Sequence, residues 1–575
     1  MHDLVVRGAL LVDGNGVPPR LADVAVDGGV CTEVTEPGAL ADRAAHRTVD
    51  ADGLLLTPGF VDVHTHYDGQ ITWDPLLTPS CWHGVTTAVM GNCGVGFAPV
   101  EPDRREWIVQ LMEGVEDIPG AALSAGIKWN WETFPEYLDH LDSLPLALDV
   151  GTQIPHGAIR AYVMGERGAA NEPATPADIE AMSALVAEGI AAGALGVSTS
   201  RTIMHTAVNG DPVPGTFAAE DELFGLGEAL RVARTGVFEL APAGALGEDL
   251  LAADREMAWM RKLGAHIGRP ISFALTQNKA DPTEWRKLLD LAEAAAADGA
   301  DIRPQVHART VSLLIGIDTF HPLMFCEAWS QVGLLAKPEL LAALARPELR
   351  ELFVRQLHLL DDPVISTFMS PSSLFPLGDP PDYEPLPESS MRARARARAV
   401  DEWELVYDAL LADGGRELLN SPILNYADGD LGATREMLTS PITAFGLGDG
   451  GAHAGQTCDA SSTTFLLTHW ARDRTRGPRI PLGEAVAKMT SRSAALYGLG
   501  DRGLLAPGKV GDVNVIDLEH LQLRRPEVAH DLPADAKRLI QRATGYVATI
   551  KGGHVVMSNG EDTGARAGHL LRGAR

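Results

Sequence analysis

The chain is 575 residues long and 45% hydrophobic, with mean hydropathy close to zero, which is enough apolar material for large buried cores. Its 77 acidic residues against 48 basic ones leave a formal charge of -29, which repels phosphate backbones and anionic membrane surfaces, so neither nucleic acid nor a membrane is an expected partner. No apolar run approaches the length that spans a bilayer, and Met1–Arg7 lacks the basic-then-apolar pattern of a signal, so a cytoplasmic protein is expected.

Residues 1–57 alternate short β-like runs, Leu4–Arg7 and Ala22–Val26, with turn sequences at Asp13-Gly14-Asn15-Gly16 and Asp27-Gly28-Gly29. The far end has the same texture at Gly511–Asp517 and Tyr546–Ile550, and the two are expected to pair into one small composite β-sandwich built from 1–57 and 491–575. Between them, from 58 to 490, strands alternate with Ala- and Leu-rich helical stretches, the α/β pattern of a parallel sheet made from βαβ units. Eight strands are predicted, at 59–63, 85–90, 147–153, 195–199, 236–241, 270–276, 301–306 and 442–448, a number that suits a (β/α)8 TIM barrel. Pro176 through Ala191 and Pro282 through Ala297 read as outer helices, each with Pro near its start and Gly close to its end. Two excursions interrupt the repeat: 101–146, with Trp107, Trp129, Trp131 and Phe134, and 307–441, which reads as a long loop holding a basic helix face at Met391–Arg398. Loops of this length more often serve as lids or specificity elements than as spacers.

In such a barrel, chemistry collects at the carboxyl ends of the strands. The first strand ends in His64-Thr65-His66, which puts two imidazoles on one face a single pleat apart, a chelating arrangement for a divalent transition metal. Alone, His-x-His is more often a pair of hydrogen-bonded structural histidines, so the context decides. Cys93, after the second strand, reads equally as a ligand or as a small buried hydrophobe, and the five cysteines, Cys31, Cys81, Cys93, Cys326 and Cys458, are too scattered for a disulfide framework. His156 follows the third strand and His307 the seventh, each readable as a structural histidine. Glu239 inside the apolar fifth strand is harder to dismiss, because an unpaired buried carboxylate is costly. Asp449, among glycines at the end of the eighth strand, is placed to touch a metal and to take a proton from water; His453 beside it reads as outer support.

Val61-Asp62-Val63-His64-Thr65-His66-Tyr67-Asp68, Gly91-Asn92-Cys93-Gly94, Gly446-Leu447-Gly448-Asp449-Gly450 and Asp501 through Asp512 together resemble the amidohydrolase superfamily, most closely its N-acyl-D-amino-acid deacylase (D-aminoacylase) branch. The resemblance runs over nearly the whole chain. It implies a metal-bearing barrel with a composite β-sandwich, Zn2+ at His64 and His66, a cysteine ligand at Cys93, and Asp449 as ligand and general base. It also implies metal-binding histidines after the fifth and sixth strands, and here the chain departs. The fifth strand reads Val237-Phe238-Glu239-Leu240-Ala241, and the sixth offers Phe273 or Gln277.

Three outcomes are open: one ion on His64, His66 and Asp449; an altered site completed by Cys93 and Glu239; or a scaffold without hydrolytic activity. Three protein ligands and an open position already make a catalytic zinc site, which favours the first two and one ion over two. Lys279 lies near where the family binds a substrate carboxylate, with a buried ion pair as its alternative; His156 and His453 are further candidate substrate contacts. The expected activity is hydrolysis of the amide C–N bond of an N-acyl-D-amino acid or related small amide by metal-activated water. The rivals are a same-fold hydrolase of a cyclic amide, ester or xenobiotic, and a non-catalytic binding protein. A homo-oligomer is compatible with the sequence, which does not determine the oligomeric state.

Overall fold

The computed structural model describes residues 1–573. Strands from both ends of the chain enter one nine-stranded sheet. His2–Leu11 pairs antiparallel with Arg20–Asp27, which turns into Val30–Thr35 through Gly28 and Gly29, whose φ of 56° and 79° suit a two-residue hairpin loop. Leu55–Pro58 lies parallel to the first of these strands and antiparallel to Val513–Ile516, which in turn pairs with Tyr546–Lys551. Leu4, Val6, Val24, Leu56, Val513 and Ile550 share one buried core.

The middle of the chain is parallel α/β, with strands β1 (Phe60–Asp62), β2 (Val85–Met90), β3 (Asp149–Thr152), β4 (Gly196–Ser200), β5 (Val237–Ala241), β6 (Ile271–Phe273), β7 (Gln305–Val306) and β8 (Ala444–Phe445). β1, β2 and β3 form one sheet. Ile154–Pro155, which continues β3 past Gln153, joins β4, β5 and β6 in a second, and β7 pairs with β8 in a third. Parallel bridges link these sheets, Ile271 to Ile302, Ala274 to Gln305, and Thr65 to Gly450. The last two strands are shorter than the sequence predicts for a local reason. Pro304 has no N–H for the ladder, and after Phe445 the backbone turns left-handed at Leu447 (φ 56°) and Asp449 (φ 45°).

Pro176–Ala192 is a helix opened by a reciprocal Thr175–Asp178 capping box and stopped by left-handed Gly193. The other predicted helix begins at Glu284 rather than Pro282, because Asp281 Oδ1 accepts from both the N–H and the hydroxyl of Thr283 and holds that turn open. The terminal motif works between regions: buried Asp149 of β3 receives Arg502 Nη1 at 2.5 Å and Lys551 Nζ at 2.8 Å, tying the large sheet to the parallel strands.

In the first excursion, Trp131 Nε1 donates to Phe97 O and Tyr137 OH to Asp68 O, which presses helix Arg105–Glu116 and its neighbours onto the strand ends. The second excursion is no loop. Helices Pro347–Leu359 and Glu402–Gly415, the latter broken at Ala412, pack with an antiparallel pair, Val311–Ile315 and Leu419–Leu424, around a core of their own that includes Leu344, Phe353, Tyr407 and Leu410. Met391–Arg398 is helical as predicted; Ser390 caps it and Arg392 pairs with Glu402 at 2.7 Å. Among the described residues no helix is long and apolar enough to cross a membrane, and all five cysteines are free and buried.

Candidate metal centre

β1 delivers His64 and His66 just past its last paired residue, and both are buried. Together with Cys93 they offer ligand atoms that all lie within 4.8 Å of one another. Cys93 Sγ is 3.3 Å from His64 Nε2, and Asp449 Oδ1 is 3.3 Å from that same nitrogen and 3.7 Å from His66 Nε2. His64, His66 and Cys93 therefore form one compact donor set, and Asp449 from a third strand end approaches its two imidazoles. Two of them sit on left-handed backbone, Cys93 (φ 54°) and Asp449 (φ 45°), a conformation that costs an L-residue about 1–2 kcal/mol. Neighbouring bonds hold it: the Cys93 N–H donates to Glu239 Oε2 at 2.8 Å, the Asp449 N–H to His64 O at 3.1 Å, and the His66 N–H to Gly450 O at 2.8 Å.

The far sides of both imidazoles are spoken for. Gln305 of β7 donates through Nε2 to Ser272 Oγ, so its Oε1 is the acceptor that meets His64 Nδ1 at 2.8 Å. That places the proton on Nδ1 and leaves the Nε2 lone pair facing Cys93 and Asp449. His66 Nδ1 lies 3.0 Å from Glu116 Oε1, close enough for an ion pair although outside hydrogen-bonding alignment. A carboxylate or amide behind the ring is the usual device for aiming a metal-ligating histidine.

The charges divide the donors: His64 is a neutral ring, whereas His66, and Cys93 whose thiol burial pushes up, would each have to give up a proton to ligate. Burial pushes His64 down to about 4, so it is neutral at pH 7. Burial opposes charge on His66 too, but Glu116, Asp449 and Asp68 outweigh it and lift that ring to about 9. Burial would raise Asp449; His64, His66, His453 and His307 instead hold it below the ordinary carboxylate range. Glu239 has too little compensation, and burial raises it to about 8; its Oε1 has no hydrogen-bond partner and lies 3.7 Å from His64 Nδ1. Of the facing donors, Asp449 is the most exposed, with 18% of its side chain open beside a cavity that Gly450, Thr457, Asp459 and Arg538 also line.

The other sequence candidates divide. His156 is no substrate contact: Nδ1 bonds Thr199 Oγ1 at 2.8 Å and Nε2 bonds Glu222 Oε1 at 2.9 Å, so both nitrogens are consumed in a buried network with Arg160. His307 is fully buried, 3.6 Å from Asp459, which also pairs with Arg309. His453 is half-buried on left-handed backbone, and its charge acts on Asp449 and Glu116. Lys279 is exposed and makes no ion pair among the described residues. At the sixth-strand position, Gln277 Nε2 donates to Asp428 Oδ2 at 2.6 Å and its Oε1 accepts from the Ala427 N–H, a structural clasp. Sequence reasoning missed Glu116, Gln305 and His205. Gln305 carries the same signal that marked Glu239, a polar residue in a buried strand; Glu116 and His205 come from excursion and loop, where no pattern singles them out.

Two imidazoles, a thiol and a carboxylate converging from buried, pre-aimed positions fit a borderline divalent cation such as zinc. Donors placed at the ends of parallel strands lie where folds of this kind take their ligands. The chain belongs to the amidohydrolase family, whose model matches residues 47–557. D-aminoacylase of Alcaligenes xylosoxydans xylosoxydans is 38% identical over 197 residues, 34% of this chain and 37% of that enzyme, so the match spans about a third of the relative's length. A D-aminoacylase structure, described for its binuclear metal centre with one-metal activation and second-metal attenuation, covers all of both chains at TM-score 0.66 and 23% identity. N-acyl-D-glutamate deacylase from Bordetella bronchiseptica, complexed with zinc and a phosphonate mimic of the tetrahedral intermediate, covers 99% of each at TM-score 0.65 and 21% identity. At those identities the structural likeness shows the shared fold.

Proposed function

We propose that the chain hydrolyses the amide of an N-acyl-D-amino acid or a related small N-acyl amine, using one divalent ion, zinc, held by His64, His66, Cys93 and Asp449. The observation that carries this is the approach of Asp449 Oδ1 to both Nε2 atoms with Cys93 Sγ alongside. The D-aminoacylase-like relatives support the substrate class, and the zinc-bearing deacylase supports the ion. One ion agrees with Gln277 being tied to Asp428 and with Gln305 filling the space behind His64. We read the linked strands as a closed (β/α)8 barrel with a β-sandwich drawn from both termini, the bridges at Ala274–Gln305 and Thr65–Gly450 supporting closure.

When bound, the ion supplies Lewis-acid polarisation of the amide carbonyl and makes water a nucleophile near neutral pH. Asp449 remains ionised among its four imidazoles, and its open side lets a carboxylate oxygen accept the water proton and return it to the leaving nitrogen. Glu116 and Gln305 hold the two rings so that this carboxylate does not pull them out of line. Lys279, exposed and without an ion pair, is free to meet a substrate carboxylate.

The test is metal analysis of protein purified without chelator, followed by turnover of N-acyl-D-, N-acyl-L- and cyclic amides with and without added zinc. One zinc per chain and preference for the D-series are expected. If His64→Ala combined with His66→Ala leaves metal content and turnover as they were, the assignment fails; activity confined to L-compounds or rings moves the enzyme to another substrate class.

A further inference from the structure

The loops that leave β4 and β5 emerge at the same carboxyl ends as the metal donors, and they are unlike the rest of the site. Where the centre is polar and buried, these loops hold large apolar side chains out to water: Ile203, Met204 and Phe217 after β4, Leu246, Leu250 and Leu251 after β5, with Phe217 60% and Leu251 81% exposed. Such side chains scattered singly mean little, but a contiguous set beside a site marks a binding surface.

Four hydrogen bonds bring the two loops side by side and hold them in place. The Thr202 hydroxyl donates to Glu248 Oε1 at 2.6 Å, and Glu248 also accepts from the Gly244 and Leu246 N–H groups, so the two loops are stitched together between Ile203 and Leu246. Arg201 Nη1 donates to Ala218 O at 2.7 Å, fixing the return of the first loop beside Phe217. The same loop leans on the metal centre. Its backbone at Thr206–Val208 lies so close to Gly114 that a Cβ there would come to 2.4 Å from Thr206 O, and Gly114 stands two residues before Glu116, the residue behind His66, on the same helix. His205, next to Met204, bonds Ser200 Oγ at 3.0 Å and feels the charges of Glu116, His66 and Asp449.

We propose that this apolar lip receives an extended hydrocarbon N-acyl chain, so that the preferred substrates are long-chain N-acyl amides rather than N-acetyl compounds. The inference rests on the amide-hydrolase reading above. A hydrocarbon chain suits the lip because it needs no polar partner, and methionine adapts to chains of differing length. The acidic surface disfavours the other apolar occupant, an anionic lipid bilayer.

The experiment measures kcat/KM of the zinc-loaded enzyme for N-acetyl through N-octanoyl forms of one amino acid, and in parallel the calorimetric binding of sodium acetate and sodium octanoate. Each buried methylene is worth roughly three- to fourfold. With half of the added chain covered, octanoyl is expected to exceed acetyl by about 40-fold, and Met204→Ser with Leu251→Ser to cut that ratio at least about fivefold. A flat chain-length profile in an active enzyme, or a ratio the double variant does not change, overturns the proposal while leaving amide hydrolysis standing. If no amide is cleaved yet octanoate binds more tightly than acetate and loses that advantage in the variant, the lip stands and the hydrolysis reading falls. Co-flotation with phosphatidylcholine vesicles, lost in the double variant and accompanied by a flat profile, would assign the surface to lipid and overturn the proposal.

Discussion

On one side of the strand ends, β1, β2 and β8 present His64, His66, Cys93 and Asp449 toward a shared volume. On the other side, β5, β6 and β7 present Glu239, Ser272 and Gln305 at the same depth, and these bond to one another's neighbours instead: Gln305 to Ser272 and His64, Glu239 to the Cys93 N–H. The first side is a donor set; the second is a scaffold that aims it. Of these, Glu239 and Gln305 are buried and bonded to Cys93 and His64, although Glu239 Oε1 is left without a partner. The contrast argues that the two sides divide ligation from orientation.

The sharpest way to break that division is to remove one carboxylate from each side. Asp449→Asn is expected to lower kcat by roughly 10^2–10^4, the range for loss of a positioned general base. Glu239→Gln keeps an acceptor for the Cys93 N–H and should cost less than about tenfold, with metal content unchanged at one ion per chain. Equal losses, or a second ion that disappears with Glu239, would make the second side a ligand set too.

A histidine outside both sides serves as a structural control. His156 and Arg160 hold Glu222 at about 2 against burial, below its ordinary 4.5. A carboxylate with a depressed folded-state pKa contributes stability that is present above about pH 4.5 and lost as pH falls towards 2, here on the order of 3 kcal/mol. Acid unfolding followed by circular dichroism should therefore show a slope in that window that Glu222→Gln lacks, with no effect on zinc stoichiometry.

The rear supports come next. Glu116→Gln and Gln305→Leu are each expected to weaken zinc binding by about 10–100-fold in chelator competition, the usual cost of losing a group that orients a ligating ring. A Gln305 variant with unchanged affinity would strip the second side of its aiming role. The smallest effect is that of Lys279→Ala, which should raise KM about tenfold with kcat nearly unchanged, the signature of lost substrate binding alone. If kcat falls instead, Lys279 acts on the chemistry.

The strand pattern was open to reading because the parallel segments are short runs rich in Val and Thr that alternate with Ala- and Leu-rich helical stretches, and His64, His66, Cys93 and Asp449 stand next to them in short local motifs. The excursion at 307–441 misled for the opposite reason. Its Pro-dense 363–387 segment hides the surrounding helices, whose apolar faces pack on one another at long sequence separation, so no single window displays the core that Phe353 and Tyr407 share. Glu116 was invisible likewise: 50 residues of chain separate it from His66, and only the docking of Trp131 and Tyr137 brings its helix against the strand ends.

By itself the sequence determined which residues could bind a metal, since ligand chemistry and strand alternation are local properties. It also determined that no histidine stands on β5 or β6. Tertiary structure alone decided what those strands do instead, that His156 is consumed by Thr199 and Glu222, and that the loops after β4 and β5 join into one apolar lip. Each of these depends on distances between segments far apart in the chain, and such distances are set by packing rather than by any neighbouring residue.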